Sequence, residues 1–477
     1  MGNNSSVEPV VADQELPQIS YVTLDTVPKI YSVYVVLGNA NGDESKGKVM
    51  RHYLVDQSEK ASYCIRFNGG PNAGHTVFVS PADEELFITE EKRVTYTTKL
   101  IKFATHQVPT GVLFGIPSII GYNCVVSLEK LYGEITEIAE KLGKTYDEIA
   151  ELITIVPEAH IIMPWHVQQD KQNNSVGTTG TGIGPAYSEK ALRIGYRVCD
   201  YYTNYNMEKF TELTTKLLSL TVPSFKDNTI VGVKIQSCKD IANKLEDGDV
   251  VVMEGAQGFH LDINHGNYPY VTSSDCTIGA ACSYGFDLCN IHAVGVSKSY
   301  PTYVGSLQIE KEFSQDIKYS GHGELIRLFG KEYGVTTGRR RQCMPFNLDQ
   351  EIISLRINQT EEWIISKSDV LVVYDRVLNK LANYIDLGTI PDQTPDSEED
   401  KILIDYIKNT NNNIGLYKTL IDNGAFRLVH NGTCFKFHSW DLMKKYILDM
   451  VKAEHLPKLK HILWWDSPQS EIDLIRT

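Results

Sequence analysis

From Ile30 onward, short continuous apolar runs alternate with stretches of helical periodicity. The runs are Tyr31 to Leu37, Tyr63 to Phe67, His160 to Met163, Val250 to Met253, Ile291 to Val296 and Trp363 to Ile365. A strand with one wet face alternates apolar with polar residues, so continuous apolar runs predict strands covered on both faces, as in a parallel sheet flanked by helices. Leu128, Leu131, Ile135, Ile138 and Leu142 recur at three and four residues and predict an amphipathic helix capped by Ser127. Thr145 and Glu148 form a capping-box pair, predicting a second helix that carries Ile149, Leu152 and Ile153. Near the C-terminus, Ser439 is placed to cap a helix with Met443, Tyr446, Ile447, Met450 and Val451 on one face. The expected class is α/β, with a large, mostly parallel sheet between helices.

Residues 1–29 are polar and without periodicity, and read as a flexible N-terminal extension to a single domain over residues 30–477. Two stretches read as surface insertions, at about residues 80–95 and 391–413; the first is rich in acidic residues and the second in Pro, Ser, Asp, Glu and Asn. No internal repeat is found.

Composition narrows the function. Of 477 residues, 42% are hydrophobic and 22% charged, an ordinary globular balance. A net charge of -14 argues against a general nucleic-acid binder, which gains affinity from clustered Lys and Arg. Nine cysteines without a C-x-x-C pair suggest neither a zinc site nor a disulfide framework, and fit a reducing, cytoplasmic location. No apolar run is long enough to span a bilayer and no secretory signal is present. Gly2 with Ser6 fits the short myristoylation pattern, but one acyl chain gives only marginal binding, so no stable membrane association is expected.

Candidate chemistry begins where the first strand ends. Gly42-Asp43-Glu44-Ser45-Lys46-Gly47-Lys48 lies between that strand and a helical stretch, a geometry that points backbone N–H groups at phosphate. It satisfies G-x-x-x-x-G-K, yet Val49 follows, where the P-loop requires a hydroxyl for Mg²⁺. Asp43 can take over that duty or act as a base. A second Gly-rich turn, Asn68 to Thr76, ends on His75 and Thr76. Three more follow: Gly177 to Pro185, Glu254 to Gly258, and Gly334 to Arg341. Backbone donors and Thr hydroxyls suit phosphate, and the Arg cluster suits a two-pronged grip on carboxylate or phosphate.

In this order the motifs resemble those of the adenylosuccinate synthetase family, GTP-dependent ligases that join L-aspartate to IMP on a P-loop-NTPase-like sheet. The most specific pieces are Gly42 to Lys48, Asn72-Ala73-Gly74-His75-Thr76, Gly177 to Gly180 with Gly182 to Tyr187, and Glu254 to Ser274. The resemblance implies a 6-phosphoryl-IMP intermediate, with Asp43 as general base and, with the Gly74 carbonyl, ligand of one Mg²⁺. His75 would donate to the transferring phosphate, and Lys46 and Lys48 would offset its charge. Gly42, Glu44, Ser45, Lys46, Gly47, Lys48, Gly74, His75 and Thr76 would line the GTP phosphates. Asp43, Asn72, Thr179, Thr272 and Gln257 would bind IMP, with Arg193 reaching the active site of a neighbour in a homodimer. Thr336, Thr337, Arg339 and Arg341 would hold L-aspartate, and Lys367 and Asp369 would select guanine.

Several positions depart from the family pattern. Ser45 replaces a usual Gly; Thr181 and Tyr303 stand where Arg is common; Asp275 replaces Asn; and Leu463-Trp464-Trp465-Asp466 replaces a small Gly-containing turn. A Trp there either stacks on guanine or packs in the core, the second being favoured. Three rival readings remain, one of them an inactive paralogue, against which the retention of Asp43 and His75 argues. A phage-type relative joins aspartate to dGMP, but that subgroup lacks the loop aspartate. A non-catalytic GTP-binding regulator would have no need of His75, Gln257 and the Arg loop.

Overall fold

The computed structural model describes residues 29–55, 60–80, 87–88, 94–95, 100–172, 178–202, 229–238, 241–303, 322–333, 338, 340–387, 401–402, 404, 418, 421–422, 424–465 and 475–476. The N-terminal extension to residue 28 and nearly all of both insertions fall outside these, as do Thr336, Thr337, Arg339 and Asp466.

The apolar runs assemble into one twelve-stranded sheet. At its centre stand five parallel strands, in the order Tyr63–Gly69, Val250–Glu254, Ser32–Gly38, Ile291–Lys298 and Glu362–Ser366. Ser118–Val126 and Ile153–Ile155 extend it in parallel on one side and His461–Trp464 on the other. Antiparallel pairing is confined to the two edges, at Thr229–Ile230 and Ile475–Arg476.

Burial follows the reading of the sequence. Val33, Val35 and Leu37 face one core, which extends to Ile65, Phe67 and the helix Leu128–Leu142. Val36 faces the other side with Val49, Met50 and Leu54 of the helix Lys46–Val55. Ser127 caps Leu128–Leu142 by accepting from Lys130 N, and Ser439 caps Trp440–Ala453 by accepting from Leu442 N.

Two expectations need correction. The capping box at Thr145 and Glu148 is present, but its helix is only Tyr146–Ala150. Ile153 belongs to the next strand, because pairing with Ser118 satisfies its backbone better than another helical turn would. The run His160–Met163 is a two-residue strand, His160–Ile161, which gives way to a helix at Pro164. Proline fits a helix's first turn, where a missing N–H costs nothing.

Candidate functional site

In a parallel sheet, ligands bind beyond the carboxyl ends of the strands. All five central strands deliver candidate residues there. Ser32–Gly38 runs into the phosphate loop, Tyr63–Gly69 into Asn72 and His75, Val250–Glu254 into Gln257, Ile291–Lys298 into Tyr300 and Thr302, and Glu362–Ser366 into Lys367.

The loop is braced from within. Buried Glu44 accepts from Gly42 N at 2.6 Å and Ala40 N at 3.2 Å, and pairs with Lys46 Nζ at 2.7 Å. Its carboxylate thus shapes the cradle, so a contact to nucleotide falls to its backbone. Gly42 has φ +89°, and a Cβ on Gly47 would lie 2.4 Å from the Thr76 carbonyl oxygen, so the loop tolerates no side chain at Gly47. Ser45, substituting for the family glycine, retains the left-handed backbone at φ +64°. Arg193, Gln257 and Lys367 are also left-handed, at φ +65°, +58° and +60°. Such strain collects where surrounding structure holds a side chain in a required direction. Lys48 is buried, with its ammonium 5.9 Å from the ring of Trp465.

His75 is 4% exposed, and its Nδ1 contacts Glu254 Oε1. Burial, with help from Arg66 and against Glu254, pushes its pKa down to about 4. The ring is therefore neutral, and a neutral ring facing a carboxylate donates through Nδ1, which leaves Nε2 for a ligand. Glu254 is fully buried and also receives Arg66 Nη1 at 2.9 Å, Thr110 N at 2.8 Å and Thr110 Oγ1 at 2.9 Å. Burial alone would raise its pKa, but Arg66 and His75 bring it to about 2.

Asp43 sits opposite. Its Oδ2 pairs with Lys298 Nζ at 2.8 Å and Arg341 Nη1 at 2.5 Å and accepts from Thr302 Oγ1 at 2.9 Å. Burial favours its protonated form, but Lys298 and Arg341 win and lower its pKa. Lys298 and Arg341 also meet Glu332 Oε2, at 2.8 and 3.0 Å, while Lys367 Nζ and Tyr300 OH reach Glu332 Oε1 at 2.5 and 2.9 Å. Sequence reasoning named neither Lys298 nor Glu332, and gave Glu254 no role. The signal for Lys298 and Glu254 was a charge closing an apolar strand run; Glu332 has no comparable local signal.

Elsewhere in the site, Gln257 Oε1 and Asn72 Oδ1 are buried with no hydrogen-bond partner among the described residues. Such orphaned atoms are uncommon in folded proteins and fit polar contacts made when a ligand arrives. Thr179 Oγ1 lies 2.9 Å from Thr181 Oγ1, on a turn pinned by Asp170, which accepts from Thr178 Oγ1 at 2.7 Å and Gly182 N at 2.8 Å. Thr272 N donates to Leu261 O at 2.7 Å. Asp275 turns its carboxylate onto Thr277, N at 2.8 Å and Oγ1 at 2.7 Å, which answers the charge this substitution adds. Tyr303 pairs with Gln342 on a short antiparallel ladder. Trp464 and Trp465 are core residues at 5% and 1% exposure, as favoured above. Arg193 caps the helix Ile183–Leu192 between exposed Leu192 and Ile194, and Asp369 lies in the first turn of the helix Ser368–Leu387.

A glycine-rich loop, a buried imidazole and a carboxylate ringed by cations, all at the carboxyl edge of a parallel sheet, define an α/β enzyme that works on nucleotide phosphates. The adenylosuccinate synthetase family model matches residues 35–406. An adenylosuccinate synthetase of Clostridium botulinum (strain Langeland) is 34% identical over 395 residues, covering 77% of this chain and 85% of that protein. One of Fusobacterium nucleatum is 36% identical over 365 residues, covering 71% and 78%. The fully ligated adenylosuccinate synthetase of Plasmodium falciparum superposes with a TM-score of 0.52 at 30% identity, covering 71% of this chain and 78% of that one. The chain belongs to the adenylosuccinate synthetase family, a family of GTP-dependent carbon–nitrogen ligases of purine nucleotide synthesis.

Proposed function

We propose that this enzyme phosphorylates O6 of IMP with GTP and then displaces that phosphate with the amine of L-aspartate, releasing adenylosuccinate, GDP and phosphate. The observation that carries this reading is that the loop Gly42 to Lys48, which bears Asp43, packs at Gly47 against Thr76 of the strand that His75 opens, with a carboxylate for the base and an imidazole for the phosphate. Asp43 is ionised and can accept the N1 proton, which makes O6 a nucleophile. Its partners Lys298 and Arg341 weaken it as a base in the ligand-free enzyme; drawing Arg341 away to the substrate carboxylate would strengthen it. His75, held by Glu254, presents Nε2 to the phosphate, whose negative charge favours the imidazolium form that donates. Lys46 and Lys48 offset the charge on the triphosphate, cradled by Gly42 to Lys48 with Gly74 and Thr76.

Among the described residues no group of three His, Cys, Asp or Glu side chains is placed to hold a metal. Mg²⁺ needs less here, because it keeps several waters and shares phosphate oxygens. The contacts of Asp43 fall on Oδ2, which leaves Oδ1 open, and Gly74 is exposed; these two hard oxygen donors fit the ion. When bound, Mg²⁺ would stabilise charge on the phosphates.

IMP would be held by Asn72, Thr179 and Thr272 at its 5′-phosphate and by Gln257 at the base, and L-aspartate by Thr336, Thr337, Arg339 and Arg341. Lys367 and Asp369 would read guanine. Exposed Leu192 and Ile194, flanking Arg193, support a homodimer in which Arg193 reaches the neighbouring site. Residues 30–477 would then form one catalytic unit per subunit. No described helix is long and apolar enough to cross a membrane, and none of the nine cysteines is in a disulfide, a usage that supports the reducing cytoplasm.

Purified protein with IMP, GTP, L-aspartate and Mg²⁺ should form adenylosuccinate, read by its ultraviolet absorbance. Turnover with dGMP and none with IMP would overturn the proposal, and GTP binding without turnover would favour a regulator.

A further inference from the structure

Glu332 is completely buried, yet four groups converge on its two oxygens. They come from three separate segments. Lys298 ends the strand that also supports Asp43; Lys367 follows the strand Glu362–Ser366; Arg341 lies beyond the Thr336 to Arg339 segment; Tyr300 lies between strand end and loop. The backbone adds to these ties. Arg341 N donates to Glu332 O at 3.2 Å, and Tyr333 bridges Arg340. Glu332 thus faces Arg341 where the chain enters and leaves that segment.

Among the described groups in direct ion pairs here, three cations, Lys298, Arg341 and Lys367, meet two carboxylates, Asp43 and Glu332. A buried excess of one positive charge is costly until an anion completes it, and the carboxylate of an amino-acid substrate would do so. Arg341 has a further reason to rearrange, since its Nε is buried without a partner.

We propose that Glu332 is a positioning residue that ties recognition of the guanine nucleotide to the grip on L-aspartate, holding Lys367 on one carboxylate oxygen and Arg341 with Lys298 on the other. This rests on the ligase reading above. A nucleotide that engages Lys367 changes what Glu332 holds on that side, and therefore how firmly it holds Arg341 on the other. Because coupling between sites is reciprocal, aspartate must tighten guanine nucleotide binding by the same factor.

The full-length enzyme tests this with Glu332→Gln, which preserves size and removes charge, and Glu332→Asp, which preserves charge. In the wild type, raising GTP should lower the KM for L-aspartate by about fivefold or more, the lower range of measured site-to-site couplings. Glu332→Gln should raise that KM, abolish its dependence on GTP and change kcat less, and Glu332→Asp should recover part of the dependence. A folded Glu332→Gln enzyme, verified by its melting curve, with unchanged KM and unchanged GTP dependence would overturn the proposal. If Glu332→Gln does not fold, the wild type decides, since a KM for L-aspartate indifferent to GTP overturns it equally. Failure of the wild type to turn over IMP would strike the ligase reading instead. Calorimetry of GDP and L-aspartate then judges the coupling, with mutual tightening supporting it and independent binding overturning it.

Discussion

Two buried glutamates organise opposite sides of this site, and they are held in different ways. Glu254 closes a central strand, and its partners Arg66, His75 and Thr110 lie on or beside neighbouring strands. Glu332 stands outside the sheet and gathers Lys298, Arg341 and Lys367 from three separate segments. The first arrangement keeps an imidazole in one tautomer and one place. The second holds cations that, on the proposed reading, a substrate reclaims. Phosphate chemistry demands rigid positioning, whereas loading three substrates requires contacts that can be exchanged.

The comparison breaks most severely at Asp43, which touches the side held by Glu332 and is the proposed base. Asp43→Asn should reduce adenylosuccinate formation by at least about a thousandfold, in keeping with the upper range for general bases, and should also lower the melting temperature, because buried Lys298 and Arg341 lose a carboxylate partner. Next comes the rigid side. His75→Asn should lower kcat by about 10²- to 10⁴-fold, and Glu254→Gln by less, since it loosens the ring without removing it. If Glu254→Gln leaves kcat unchanged, the proposed division between the two glutamates fails.

Stability against pH sharpens the contrast further. His75, with its folded pKa lowered to about 4 from 6.5, binds protons more readily when unfolded. Its contribution is present above pH 6.5 and lost as pH falls towards 4. Glu351 behaves oppositely. Burial raises its pKa to about 8 from 4.5, so its contribution is present below pH 4.5 and lost as pH rises through 8. Melting of Glu351→Gln relative to wild type should therefore improve across that window, by up to about 1.4 kcal/mol per pH unit. The smallest effect is expected at Ser45. Ser45→Gly relieves a left-handed backbone but loosens the unfolded chain, so a gain below about 1 kcal/mol should appear in denaturant melts.

Much of this was legible in the sequence because it is written locally. Continuous apolar runs announced the parallel strands, Ser127 and Ser439 announced their helices, and Gly42 to Lys48 announced the turn from the strand Ser32–Gly38 into the helix Lys46–Val55. The short helix after Thr145 was misjudged at Ile153, since a capping box marks a beginning and says nothing of an end. Partnerships over long separations were not legible. Lys298 with Asp43 and Glu332 with Lys367 are brought together by sheet order, which no run of neighbouring residues encodes.

The central claim is that O6 of IMP is activated by Asp43, phosphorylated and expelled. IMP labelled with ¹⁸O at C6, turned over with GTP, L-aspartate and Mg²⁺, tests each part of it at once. The account predicts adenylosuccinate free of the label and inorganic phosphate carrying it, with neither formed by Asp43→Asn. Label retained outside phosphate, or near-normal transfer by Asp43→Asn, would contradict it.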